Sequence, residues 1–194
     1  MRRRKTGATV SDIFYVYHLC MTLSSETQDL TATLDRHRGF LLQTTDGLSE
    51  EQARRQSTPS VLSLASILKH VADTEEQWMD FAERGAEAFT QIYSQDIDWS
   101  SIDPDAPDPR FILTDGDTLQ ALRERVLSVG ARTTELLERL SLDTAHPLPE
   151  APWFEPGAAW SVRRVALQMI AEISQHAGHA DIIREAIDGA RTMG

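Results

Sequence analysis

SVRRVALQMIAEISQHAGHADIIREAI, residues 161–187, is followed at once by Asp188-Gly189. Within it Val165, Met169, Ile173, Ala180, Ile183 and Ile187 recur at intervals of three, four and seven. At about 100° per residue those positions gather on one side of an α-helix. The stretch predicts a helix from about Ser161 to Ile187, ended by Asp188-Gly189. A helix with one apolar face must bury it, and the segments upstream supply partners of the same kind.

Ser25-Glu26-Thr27-Gln28 has capping-box form and opens a first helix with Leu30, Leu34, His37 and Leu41 in its stripe, stopped by Asp46-Gly47. Ser49-Glu50-Glu51-Gln52 opens a short piece ending near Arg55. A long helix is expected from about Ser60 to Arg84, with Leu64, Ile67, Val71 and Trp78 on one side and Gly85 behind it. Asp117-Thr118-Leu119-Gln120 caps a further helix carrying Leu119, Leu122, Val126, Val129, Thr133, Leu136 and Leu140. Between these lie an Asp- and Pro-rich loop at 86–116 and a Pro-rich segment from His146 to Gly157. No segment alternates as a strand. The fold class is therefore all-α, a four-helix bundle with a short extra helix.

The 194 residues fit one domain, and 41% hydrophobic with 25% charged residues is a globular balance. A net charge of −11 argues against nucleic acid as a partner. No apolar run is long enough for a membrane span. Residues 1–23 differ, with Arg2, Arg3, Arg4 and Lys5 ahead of Ile13-Phe14-Tyr15-Val16-Tyr17. His18 interrupts that short apolar stretch and no Ala-x-Ala site follows, so a signal peptide is the weaker reading. The expected division is a disordered or loosely packed N-terminal extension, 1–23, and a bundle over 24–194. One cysteine, Cys20, excludes an internal disulfide framework and, with the soluble composition, points to the cytoplasm.

The polar residues of the last helix carry the chemistry. Glu172, His176 and His179 share a face, and His176 falls on the apolar side with Glu172 at its margin. A buried carboxylate beside a buried imidazole is costly unless charge or hydrogen bonding compensates, and a divalent metal does so for both. A third ligand must come from another helix. His70, at the edge of its own helix's stripe with Asp73 one turn later, is the best placed. The competing reading makes each histidine a packed core residue. Spacing alone leaves the choice between Glu172 and His179 as the ligand beside His176 open. His37 reads as packing, and His18 and His146 as solvent-facing.

Three motifs resemble those of DinB-like proteins. They are Ile170-Ala171-Glu172 leading into Gln175-His176-Ala177-Gly178-His179-Ala180-Asp181-Ile182, then Leu68-Lys69-His70-Val71-Ala72-Asp73 with Trp78, and Asp46-Gly47-Leu48-Ser49-Glu50-Glu51-Gln52. The likeness covers about 24–190 and is greatest to an actinobacterial branch of unknown function. The wider superfamily includes mycothiol- and bacillithiol-dependent S-transferases. The resemblance implies a divalent metal held by His70, Glu172 and His176, zinc first with nickel or iron as alternatives, and His179 just outside the ligand set. It implies a low-molecular-weight thiol as co-substrate, a small electrophile as its target, and a homodimer. Three protein ligands leave a position open, as in catalytic sites, and a thiol there is deprotonated. Arg163 and Arg164 read as solvated charges rather than as receivers of the thiol's anionic groups. Other readings of the same ligands are a water-activating zinc or non-haem iron enzyme, and a non-catalytic metal-stabilised bundle.

Overall fold

A computed structural model describes residues 24–90 and 108–192. The N-terminal extension, with His18 and Cys20, and residues 91–107 of the Asp- and Pro-rich loop lie outside the described residues. Helix α1 spans Ser25–Gln43, α2 Glu50–Arg54, α3 Leu64–Arg84, α4 Leu119–Arg139 and α5 Val162–Asp188. Two three-residue strands, β1 (Ala145–Pro147) and β2 (Ala159–Ser161), pair antiparallel with His146 opposite Trp160. Strands that short leave no alternation to read, so this hairpin corrects the strand-free expectation for the Pro-rich segment. Among the described residues the other regular elements are helices, as the periodicities require.

Local chemistry sets the boundaries. Ser24, not Ser25, caps α1, its hydroxyl accepting from Thr27 N at 3.1 Å. Two adjacent serines are equal by preference, and the Ser24–Thr27 hydroxyl contact at 2.9 Å decides between them. The expected start of α3 at Ser60 moves to Leu64 because Ser63 and Ser66 cap each other reciprocally, at 2.9 and 3.2 Å. Ser49 and Gln52 form a capping box at the head of α2, the short piece that this stretch was expected to open. Thr118 caps α4, while Asp117 folds back on Thr114. Gly189 at φ 80° ends α5 as the Asp-Gly pair predicts.

Helix α1 packs on α5, α5 on α3, α3 on α4 and α4 on α1, closing a ring of four. Leu34, Leu41, Ile67, Leu68, Met79, Phe81, Leu137, Met169 and Ile173 fill the middle, each almost wholly buried. One ion pair crosses that core. Arg38 of α1 donates to Glu75 of α3 through Nε at 3.1 and 3.2 Å and through Nη2 at 2.6 Å. Thr133 of α4 adds its hydroxyl to Glu75 at 2.7 Å. The core position expected for His37 belongs to Arg38, whose stem passes Gly130; His37 is half-buried against Phe40.

Candidate metal centre

Helices α3 and α5 run in opposite directions. His70, early in α3, faces the middle of α5, whereas Trp78 two turns later stacks on Trp160 before α5 begins, 4.7 Å between ring centroids. That register brings His70 against the Glu172–His176 pair, which α5 presents one turn apart. Glu172 Oε1 lies 3.0 Å from His70 Nε2 and 3.2 Å from His176 Nε2. His70, Glu172 and His176 each offer a ligand atom within 4.8 Å of the others. Both imidazoles are buried, at 3% and 9% exposure, and Glu172 is half-buried at their margin.

The electrostatics favour an anionic acceptor. Hydrogen bonds from His176 first, and then from His70, hold the Glu172 carboxyl well below the usual carboxylate range, against the opposing effect of burial. The Nδ1 atoms of His70 and His176 are buried and make no hydrogen bond. With both Nε2 atoms turned to one carboxylate oxygen, one possible ligand atom from each of the three side chains faces a common point. Two imidazoles and a carboxylate are a donor set that zinc, iron and nickel accept. The residues fit a divalent cation.

Glu172, not His179, completes the cluster with His70. His179 is exposed, its ring 5.5 Å from that of His176, and it stands outside that cluster. Asp73 turns away from the cluster to Lys69 and Arg125. Arg163 pairs with Glu26 and Asp143, and Arg164 lies over the Trp160 ring at 4.5 Å. Asp181 accepts from Thr192 N at 2.7 Å. His146 departs from its solvent-facing reading. It packs edge-on against Phe81, and its Nε2 is buried.

Helical periodicity offered no sign of Phe111, which lies in the 86–116 loop. A 3₁₀ turn, Pro109–Phe111, places its ring 4.0 Å from that of His70, 12° from parallel. The local signal for that turn is Asp108-Pro109, an N-cap before a proline at the first helical position.

A search of curated proteins finds no match. A conserved protein from Enterococcus faecalis, known from its crystal structure, shares the fold at a TM-score of 0.61 and 16% identity, over 84% of this chain and 98% of that one. The family model described as mycothiol-S-transferase matches residues 29–189, which takes in all of α2 to α5 and every residue of the cluster. By that match, the chain belongs to the mycothiol-S-transferase family, within the DinB-like proteins.

Proposed function

We propose that this chain is a divalent-metal-dependent transferase that activates a low-molecular-weight thiol, mycothiol or a close analogue, for attack on a small electrophile. His70, Glu172 and His176 are its metal ligands, and zinc is the proposed ion. The observation that carries the reading is the convergence of three donor atoms from α3 and α5 within 4.8 Å, in a chain of the mycothiol-S-transferase family. A cation held by two neutral imidazoles and one carboxylate is a Lewis acid that lowers the pKa of a thiol, so that thiolate forms at neutral pH.

The protein's part is to hold that donor set. Glu172 supplies the single negative charge, and the position of both rings against it keeps it ionised. His70 and His176 come from rigid helices whose buried apolar neighbours, Ile67, Val71, Ile173 and Ala177, fix their place. The reaction breaks the S–H bond, with the proton going to solvent, and forms a bond from sulfur to an electrophilic carbon. The leaving group departs from that carbon as an anion with the electron pair of the broken bond (bromide or chloride for a halobimane). The proposal assigns no step to Cys20, which lies outside the described residues. The cytoplasm is the proposed compartment. A homodimer is proposed with it, and Leu167 and Ile182, exposed at 47% and 62% on α5, are the side chains it would cover.

Cobalt-substituted protein tests this reading. Addition of mycothiol, or of N-acetylcysteine as a surrogate, is expected to raise a sulfur-to-cobalt charge-transfer band, and a bimane electrophile is then conjugated faster than without protein. An unchanged cobalt spectrum contradicts the thiol reading. Turnover without thiol assigns the site to water or oxygen chemistry instead.

A further inference from the structure

We propose that Phe111 is a positioning residue for His70, holding the imidazole in its ligating orientation by ring stacking. The inference rests on the metal reading above. A ligating histidine is ordinarily oriented by its second ring nitrogen, which donates to a carboxylate, a backbone carbonyl or water. His70 has no such tie to the protein: its Nε2 faces Glu172, and its Nδ1 is buried without a hydrogen-bond partner. Apart from that contact between Nε2 and Glu172, no polar contact opposes rotation of the ring about its bond to Cβ.

The flat face of Phe111 opposes it. With ring centroids 4.0 Å apart and planes 12° from parallel, a turn of the imidazole drives its edge into the phenyl ring. The stack thus holds Nε2 in line with Glu172 and His176. The same phenyl ring lies 5.9 Å from that of His176, so it covers the donor set from one side.

Phe111 is itself anchored. Asp108 accepts from Arg110 N at 2.9 Å and pairs with the Arg110 guanidinium at 2.6 Å, closing the 3₁₀ turn. Lys69, the neighbour of His70 in α3, donates to Arg110 O at 3.3 Å. Downstream, Arg54 of α2 donates to Thr114 O and Asp117 O at 2.9 and 2.8 Å. The strap from 108 to 118 is tied to α3 beside His70 and to α2, so the ring is placed from a segment that belongs to neither ligand-bearing helix.

The test compares wild type with Phe111→Leu, which keeps an apolar cover without a flat face, and Phe111→Tyr, which keeps the stack. Cobalt(II) affinity is read by competition with a chromophoric chelator, and cobalt geometry by its d–d absorption. Phe111 sits half-exposed on a surface strap, and the melting temperature without metal checks that both variants fold. Phe111→Leu is expected to weaken cobalt binding by about 10- to 100-fold and to alter the d–d bands, the loss typical of removing an orienting partner. Phe111→Tyr is expected to bind with wild-type affinity and spectrum. A Leu variant equal to wild type in both readouts overturns the inference, and so does a Tyr variant as weak as Leu. Wild type without cobalt affinity overturns the metal reading and this inference together.

Discussion

At Glu172 two imidazole nitrogens meet one carboxylate oxygen, at 3.0 and 3.2 Å. Glu172→Gln keeps the shape and removes the charge, so it is expected to bind zinc at least about tenfold more weakly while leaving the fold intact. Isothermal titration of zinc against both proteins measures this. A second buried charge behaves differently. Glu75, 1% exposed, receives Arg38 and Thr133 inside the core and lies five residues beyond His70. Truncating Arg38 to Ala leaves that carboxylate unpaired in the core and is expected to cost about 3–5 kcal/mol in urea unfolding, whereas the double change Arg38→Met with Glu75→Met recovers most of it. The first site spends its charge on a ligand, the second on joining α1, α3 and α4.

The helices and their ends were largely legible, because periodicity and capping are written within a few residues of each other. Ser49 with Gln52, Thr118, Gly85 and Gly189 all sit where their chemistry places them. One helical turn put Glu172, His176 and His179 on one face but left open which of Glu172 and His179 joins His176, and it was the resemblance that implied the set with His70 from another helix. Phe111 was not legible, because it reaches His70 from a loop whose position depends on tertiary ties at Lys69 and Arg54. Arg38 was missed through a single step of 100° on the wheel, too coarse to separate it from His37. At the element scale the C-terminus of α3 gives a sharp prediction. Gly85 adopts φ 71°, ψ −152°, a region open essentially to glycine, and a Cβ there would stand 2.9 Å from His146 Nδ1. Gly85→Ala is expected to cost about 1–3 kcal/mol from backbone strain alone, read as a lower urea midpoint at constant slope.

On the proposed metal reading the bundle as a whole couples metal to stability, because the three side chains come from two helices that unfolding separates. Cation held at a hundred times its Kd adds about 2.7 kcal/mol to the folded state. Chelator is therefore expected to lower the melting temperature of wild type and to leave that of His176→Ala unchanged. Among the described residues no helix is long and apolar enough to cross a membrane, and α5 leaves Leu167 and Ile182 exposed. If these residues form the proposed homodimer interface, Ile182→Glu converts the protein to monomer in sedimentation velocity. The central claim is that His70, Glu172 and His176 hold one divalent ion. Its most direct test is metal content by mass spectrometry on tag-free protein, wild type beside His176→Ala and Glu172→Ala. We predict close to one zinc per chain in wild type and little in either variant. Wild type without metal after reconstitution would contradict the claim and reduce the three side chains to a buried polar network.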